Sequence, residues 1–260
     1  MAKIKCTMSY DGTGYAGFQS QPNERTIQGQ LQEALKKIHK GMPVKIHGSG
    51  RTDAGVHAKG QVFHFETDYR LSEDSWKRAL NTLLPEDIYI HQVEIMPDSF
   101  HARYHAIEKE YHYFISIAEY NVFQRNYMDH VSYKLNLDDM KRACALLEGE
   151  HDFTTFSSAK ATTKGTKVRT LYEASFEAQG DVLEFTFRGN GFLYNMVRIM
   201  VGVLIDVGRG RFAPEIILEM FEEKDRQLAG RTAPPQGLYL WKVTYGESGA
   251  EAFQQNNGTG

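Results

Sequence analysis

The sequence has few cysteines and no long hydrophobic run. Its 260 residues include two cysteines, Cys6 and Cys144, which stand far apart and outside any CxxC or Cys/His ligand spacing. This excludes a disulfide framework and a structural zinc site, and makes the cytoplasm the expected compartment. The longest apolar run, residues 199–205, is far short of the ~20 residues that span a bilayer. We therefore expect no membrane segment, and residues 1–10 lack the apolar core of a secretory signal.

Motifs for nucleotide, metal and serine chemistry are also missing. The ten histidines include no HExxH pair, so metal catalysis has little support. DGTGYAG, residues 11–17, is not followed by the Gly-Lys-Ser/Thr of a phosphate-binding loop, and no G-x-S-x-G is present. The sequence therefore offers no recognisable site for a metal, a nucleotide cofactor or a nucleophilic serine.

Charge is nearly balanced overall but unevenly distributed. The net charge of −3 by itself argues against a polyanionic partner. Residues 1–66 nevertheless hold nine Lys or Arg against five Asp or Glu. A basic loop, residues 157–170, has no acid and four cations, Lys160, Lys164, Lys167 and Arg169. A segregated basic surface is compatible with these numbers, and so is a solvated loop without a ligand.

Strands and helices alternate in a similar order in the two halves. Thr26 caps a predicted helix with the apolar stripe Ile27, Leu31, Leu35 and Ile38. In the second half, Asp138 is the predicted cap of one helix, and an apolar helix is predicted from about Leu193 to Val207. We predict an α+β fold of two similar units, each a mixed or antiparallel sheet with helices on one face. Such a duplication, of ferredoxin-like or RRM-like type, is expected to form a central cleft.

The pattern also predicts the domain boundaries. Residues 1–106 form an N-terminal α+β domain that carries a glycine-rich loop, and residues 107–246 form a C-terminal α+β domain. Residues 247–260 lack periodicity and are predicted to be a disordered tail.

Asp53 is the first candidate for chemistry. It lies in GSGRTDAGVHAKG, residues 48–60, where four glycines allow the backbone to approach a ligand closely. Arg51 and His57 flank it. The alternative is a turn aspartate that bonds its own backbone, and the loop alone does not decide between the two.

Arg198 is the second candidate, because it interrupts an otherwise apolar helix. An unpaired buried charge is very costly, so this arginine must reach solvent or find an acid. Asp206 is eight residues along the same helix and too distant for a helical pair, so the partner is expected from another segment. Asp53 is one of several acids available. Pairing would keep its carboxylate ionised, as a nucleophile or base requires.

Five separated blocks of the sequence resemble one known family. The sequence closely resembles the bacterial tRNA pseudouridine synthase A family over residues 3–246. The blocks are GRTDAGVHA at 50–58, FHARYHA at 100–106, KEYHYFI at 109–115, GFLYNMVRIMVGVLIDVGRG at 191–210 and APPQGLYL at 233–240. The resemblance implies isomerisation of uridine to pseudouridine at positions 38, 39 and 40 of the tRNA anticodon stem and loop. It also implies a homodimer without metal or cofactor.

The resemblance assigns roles to individual residues. Asp53 matches the catalytic aspartate, described as the nucleophile, and Arg198 the arginine that pairs with it. Tyr111 matches a tyrosine that contacts the target base, which agrees with its place near the start of a strand that opens with Lys109. Arg51 is our candidate for filling the space of a flipped base or gripping the RNA backbone.

Two other classes of function remain open on the residues alone. A noncatalytic RNA-binding module would explain the α+β pattern and the basic segments, but not an acid within the glycine-rich loop. An RNA uracil N-glycosidase would also use Asp53, but it would release free uracil.

Overall fold

A computed structural model of the protein describes residues 1–158 and 165–246. The chain divides into two compact units. The N-terminal unit contains Met1–Ile107 together with the chain from Leu240, and the C-terminal unit contains Glu108–Tyr239. Lys160, Lys164 and the predicted tail at 247–260 lie outside the described residues.

The N-terminal unit is an antiparallel sheet with two helices. β3 pairs with β1 and with the short β2, and β1 also pairs with β4. Cys6 in the middle strand lies opposite Phe63 and Val93, and all three side chains are buried. The elements are β1 (Ala2–Tyr10), α1 (Ile27–Ile38), β2 (Ile46–Gly48), β3 (His57–Thr67), α2 (Glu73–Leu83) and β4 (Ile88–Met96).

Each helix of this unit begins at a side-chain cap. The Thr26 hydroxyl accepts a hydrogen bond from the Gly29 amide, as predicted, and the Ser72 hydroxyl accepts one from the Ser75 amide. These bonds satisfy amides that the first helical turn leaves without partners. The apolar faces of the helices bury Ile27, Leu31, Leu35, Trp76 and Leu80.

The C-terminal unit is built around a second sheet. β9 pairs in antiparallel fashion with β5 and β8, β7 with β8, and β6 runs parallel to β5. Two short 3₁₀ helices, Arg226–Ala229 and Pro235–Gly237, follow the α-helices. The elements are β5 (Ala106–Ser116), β6 (Asp129–His130), α3 (Leu137–Leu147), β7 (Gly149–Asp152), β8 (Val168–Gln179), β9 (Val182–Gly189), α4 (Met196–Gly208) and α5 (Ile216–Glu223).

Two helix starts in this unit differ from the sequence prediction. Asn136, rather than Asp138, caps α3, because its side-chain oxygen accepts from the Asp139 amide. α4 begins at Met196, three residues later than predicted, because Asn195 adopts a left-handed conformation with φ of 61°. A left-handed residue cannot continue a right-handed helix, so the helix starts after it.

The last strand, β10 (Leu238–Tyr245), pairs with β3. Gly60 of β3 approaches the strand so closely that a Cβ atom there would lie 2.4 Å from the Trp241 carbonyl oxygen. The sequence prediction assigned residues 107–246 to one domain, whereas the structure groups the chain from Leu240 with the N-terminal unit. Both units combine a sheet with helices, so the predicted α+β class is confirmed. Within residues 1–158 and 165–246, no helix is both long and apolar enough to cross a bilayer.

Candidate active site

Asp53 lies in the loop that connects β2 to β3. The backbone of this loop is fastened at three successive points. The Thr52 carbonyl accepts from the Phe18 amide at 3.1 Å, the Asp53 carbonyl accepts from the Val56 amide at 3.1 Å, and the Gly55 amide donates to the Tyr15 carbonyl at 3.3 Å. The Asp53 side chain is only partly buried. A well-fixed backbone therefore presents a carboxylate that a ligand can approach.

The glycines of DGTGYAG make this fastening possible. A Cβ atom on Gly12 would lie 2.0 Å from the Val56 carbonyl oxygen, a distance that no side chain can occupy. Gly17 has φ of +101°, and a Cβ atom there would lie 2.7 Å from the Thr52 carbonyl oxygen. Only glycine permits both the close approach and the left-handed backbone. This segment therefore packs against the backbone of the Asp53 loop.

Side chains on β1 and β3 hold the first half of the loop. The Tyr10 hydroxyl and the Thr52 hydroxyl are 2.7 Å apart and both side chains are buried. Burial raises the pKa of Tyr10, and the negative charge of Asp53 raises it further, so this tyrosine stays neutral. At the start of the loop, the Gln61 amide donates to the Gly50 carbonyl at 3.1 Å.

Arg51 lies two residues before Asp53 on the same loop, and it is exposed. Its guanidinium is therefore accessible to a large ligand that approaches the loop. The structure thus brings Arg51 and Asp53 together on one short segment of the N-terminal unit.

Tyr111 lies on β5 of the C-terminal unit, opposite Phe187 of β9. The side chain is 8% exposed, and its ring meets the Phe192 ring edge-on, with centroids 4.9 Å apart. Tyr113, two residues along, is fully buried and donates from its hydroxyl to the Pro234 carbonyl at 2.9 Å. Tyr113 therefore serves the core, while the aromatic pair of Tyr111 and Phe192 keeps a small exposed area.

Arg198 lies in the first turn of α4, in the same unit. Its Nε donates to the Ala233 carbonyl at 2.8 Å, and its Nη1 donates to the Asn195 side-chain oxygen at 3.0 Å. A guanidinium is planar and has five N–H donors, and these two bonds hold its plane in one orientation. The predicted pairing of Arg198 with a carboxylate from another segment stays a prediction.

Comparison with known proteins shows the family to which the chain belongs. A family model described as tRNA pseudouridine synthase matches residues 7–105 and 143–246. The chain belongs to the tRNA pseudouridine synthase family. Asp53 lies in the first matched segment of this family and Arg198 in the second, whereas Tyr111 falls between them.

Relatives of this synthase cover almost its full length. It is 57% identical over 250 residues to a tRNA pseudouridine synthase A of Oceanobacillus iheyensis, which covers 96% of this chain and 99% of the relative. A tRNA pseudouridine synthase A of a Geobacillus strain is 55% identical over 244 residues, covering 94% of this chain and 98% of the relative. The predicted family resemblance is therefore confirmed.

Two solved structures are distantly similar to this synthase. One is a Cbf5–Nop10–Gar1 complex, with 13% identity, a TM-score of 0.32, and coverage of 77% of this chain and 54% of that chain. The other is an archaeal box H/ACA sRNP Nop10–Cbf5 complex, with 11% identity, a TM-score of 0.36, and coverage of 90% and 59%. TM-scores this low carry no structural argument.

Some residues of the candidate site were not singled out from the sequence. Gly12 and Gly17 support the Asp53 loop, and their signal in the sequence is the glycine density of DGTGYAG, a segment that lacks the Gly-Lys-Ser/Thr of a phosphate-binding loop. Phe192 contacts Tyr111, and its only signal was its place in the block at 191–210. In the described part of the chain, no group of three or more His, Cys, Asp or Glu side chains is arranged to hold a metal ion.

Proposed function

We propose that this protein is an isomerase that converts uridine to pseudouridine at positions 38, 39 and 40 of the tRNA anticodon stem and loop. The observation that carries the proposal is the 57% identity to a tRNA pseudouridine synthase A over 96% of this chain. The partly exposed Asp53 carboxylate on a fixed loop supports it. The alternatives, a noncatalytic RNA-binding module and a uracil N-glycosidase, are not favoured by any relative named here.

The reaction requires one carboxylate and an active site that retains the detached base. The bond between C1′ of the ribose and N1 of uracil breaks, the base turns, and C5 bonds to C1′. The C5 proton is lost and N1 gains a proton, so the product is an isomer and no redox partner is required. The Asp53 carboxylate can begin this sequence by attacking C1′, by attacking C6 of the base, or by removing the 2′ proton.

Arg198 has the complementary role in this proposal. A guanidinium whose plane is fixed by Asn195 and Ala233 suits a carboxylate, because both are planar and pair through two parallel hydrogen bonds. We propose Asp53 as that carboxylate. The positive charge would keep the aspartate ionised, as the reaction requires.

Two further residues are assigned to the substrate. A target base in a stem must leave the helix before it can react, which costs a few kcal/mol. Tyr111, supported at its edge by Phe192, contacts the flipped base in this proposal. The exposed Arg51 fills the vacated position or grips the RNA backbone. If Arg51→Ala binds and modifies tRNA as the wild type does, this role is wrong.

The proposed setting of the reaction follows from the same resemblance. We propose that the protein acts in the cytoplasm as a homodimer, with tRNA as its partner and without metal or cofactor. Size-exclusion chromatography with light scattering tests the oligomeric state, and activity after dialysis against a chelator tests independence from metal.

The experiment that tests the reaction uses tRNA carrying tritium at C5 of uridine. Formation of the bond between C1′ and C5 releases tritium to water and leaves the RNA chain without abasic sites. A glycosidase would instead leave abasic sites, and a binding module would produce neither result. Release of tritium with intact RNA is the expected outcome.

Asp53→Asn tests the catalytic assignment in the same assay. The amide keeps the size of the side chain but is a poor nucleophile and base, so the rate is expected to fall at least about 10⁴-fold. Asp74→Asn is the matched control, because Asp74 is an exposed aspartate on α2 of the same unit. Full activity in Asp53→Asn, measured on protein with wild-type thermal stability, would disprove the assignment.

A further inference from the structure

A segment of irregular chain, residues 230–234, runs antiparallel to α4 and lies directly against it. The Ala233 amide donates to the Arg198 carbonyl at 2.9 Å, near the start of the helix. A Cβ atom on Gly202 would lie 2.2 Å from the Arg231 carbonyl oxygen, and one on Gly230 would lie 3.5 Å from the Asp206 carboxylate. Side chains from this segment and from the end of α4 therefore share one surface.

Two exposed arginines of this surface are organised by one tyrosine. The Arg209 guanidinium lies over the Tyr133 ring, 4.1 Å from its centroid, and Arg231 donates to the Tyr133 hydroxyl at 3.2 Å. Arg209 follows the last residue of α4, whereas Arg231 comes from the antiparallel segment. A half-buried aromatic ring thus holds two guanidinium groups close together at the surface.

Two more arginines complete the cluster, which we call the arginine ridge: Arg209, Arg211, Arg226 and Arg231. Arg226 donates to the Gly230 carbonyl and to the Thr232 hydroxyl, both at 2.9 Å. Arg211 pairs with the buried Asp206 at 3.2 Å and is otherwise exposed.

Nearby acids offset only part of the charge of the ridge. Asp206 pairs with Arg211, and Asp225, which caps a 3₁₀ helix by accepting from the Gln227 amide, is an exposed acid next to Arg226. Asp129 is buried at 7% exposure, and desolvation raises its pKa while the charge of Arg231 partly opposes that rise. The exposed side of the ridge therefore carries a surplus of positive charge.

We propose that the arginine ridge binds phosphate groups of the substrate RNA at a distance from the reacting nucleotide. This inference rests on the proposed function and deepens it. α4 carries Arg198 in its first turn and Arg209 just past its end, eleven residues later. At ~1.5 Å per residue, the ridge extends about 16 Å from Arg198, which is several phosphates along an RNA stem.

The chemistry of the ridge fits a phosphodiester backbone. All four cations are arginines, and a planar guanidinium can donate two parallel hydrogen bonds to a pair of phosphate oxygens. Such contacts do not require recognition of the base edges. Arg209 and Arg211 also complement the dipole at the end of α4, but that effect does not account for Arg226 and Arg231, which come from another segment.

The test is direct binding of an unmodified tRNA transcript to Arg209→Gln/Arg231→Gln over a range of salt concentrations. We expect roughly tenfold weaker binding near 0.15 M salt. The slope of log K against log salt should fall by about one for each arginine removed, about two in total. The value of kcat at saturating tRNA should stay unchanged, because neither residue contacts the reacting base.

Two control variants separate phosphate binding from a structural role. Arg142→Gln removes an exposed arginine of the same unit that is paired with Asp139 and Glu215, and it should leave affinity and salt slope unchanged. Arg209→Lys/Arg231→Lys keeps the charges but loses the fork geometry at Tyr133, and it should retain most of the salt slope.

The outcomes are distinct. The ridge proposal is overturned if the double Gln variant has the salt slope of the wild type. It is also overturned if the double Lys variant loses as much salt slope as the double Gln variant. If the wild type binds tRNA through the ridge but forms no pseudouridine, the proposed function fails and the ridge stands. If pseudouridine forms and the slope is unchanged, the ridge fails and the proposed function stands.

Discussion

The two units position their candidate residues by different physical means. In the N-terminal unit, Asp53 lies on a loop, and backbone hydrogen bonds to Tyr15 and Phe18 hold that loop in place. In the C-terminal unit, Arg198 lies on a helix that is buried on nearly every side, and its own side-chain bonds fix the guanidinium. One unit relies on backbone contacts that only glycine permits, and the other relies on apolar packing around a charged residue.

This difference determines which substitutions each arrangement tolerates. A loop held by close backbone contact is damaged by the addition of a single methyl group to its supporting glycines, even when the reactive side chain is unchanged. Arg198 on α4 does not depend on those glycines, but its orientation depends on the hydrogen bonds of its own guanidinium. Substitutions that separate these two dependences therefore test the comparison.

The largest effect after Asp53→Asn is expected from Arg198→Gln. Loss of the charge removes the group that we propose to stabilise the Asp53 carboxylate, so kcat should fall about 10²- to 10³-fold. Single-turnover assays with saturating tRNA measure the change. Arg142→Gln should remain at the wild-type rate, and Arg198→Lys should stay well below it, because an ammonium cannot reproduce the bonds to Asn195 and Ala233.

A smaller effect on the rate is expected from Gly12→Ala. The new methyl group would collide with the Val56 carbonyl, so the Asp53 loop must shift. A misplacement of about 1 Å at a reacting group can cost about 100-fold in rate, and overpacking costs about 1–3 kcal/mol in stability. The value of kcat/KM and the free energy of unfolding in urea measure the two effects.

Gly41→Ala is the matched control for the loop. Gly41 has φ of +94° but nothing within 4 Å of a Cβ atom, so the substitution strains the backbone without touching the loop. It should cost about 1 kcal/mol of stability and leave kcat/KM unchanged. Equal losses of activity in Gly12→Ala and Gly41→Ala would show that global destabilisation, rather than the position of Asp53, explains the effect.

The parts of the fold that depend on local pattern were predictable from the sequence. The stripe of α1 and its Thr26 cap required only helical spacing and one hydroxyl at the right place. The start of α4 was not predictable, because it depends on the left-handed conformation of Asn195, which no periodicity records. The cap of α3 was misplaced because Asp138 and Asn136 both suit that role, and only the structure shows which side chain reaches the amide.

The residues of the candidate site were likewise predictable only where a local sequence pattern indicates them. Asp53 and Arg198 were identified because each residue type is unusual in its local surroundings, an acid among glycines and a cation among apolar residues. The support from Gly12 and Gly17 is a contact between segments distant in sequence, so spacing alone does not reveal it. The arginine ridge was missed for the same reason, since α4 and residues 230–234 are brought together only by the fold.

Acidification from pH 7 to pH 5 is expected to weaken the N-terminal unit by about 2 kcal/mol. His64 on β3 lies opposite His47 on β2, so the two histidines pair on the strands that flank the Asp53 loop. Desolvation, with His101, His47 and Lys3 nearby, lowers the pKa of His64 to about 3. Because the pKa in the unfolded chain is higher, near 6.5, this stability is complete above about pH 6.5 and is lost as pH falls toward 3.

Urea unfolding at pH 7 and pH 5 measures this loss. His64→Asn keeps an acceptor for the Ala102 amide, which donates to His64 Nδ1 at 3.2 Å, but cannot take up a proton in this range. The variant should therefore lose less stability than the wild type between pH 7 and pH 5. An identical loss in the two proteins would show that other groups control the acid response of the N-terminal unit.

The smallest effect, about 1 kcal/mol or less, is expected at the cap of α3 in the C-terminal unit. Asn136→Ala removes the oxygen that accepts from the Asp139 amide, and such a loss typically costs about 1 kcal/mol. Asp138→Ala removes only a favourable charge near the helix start, worth a few tenths of a kcal/mol. Thermal unfolding should therefore show a decrease of about 2 °C for Asn136→Ala and a smaller one for Asp138→Ala. The reverse order would restore Asp138 as the cap and remove the one error in our prediction of this helix.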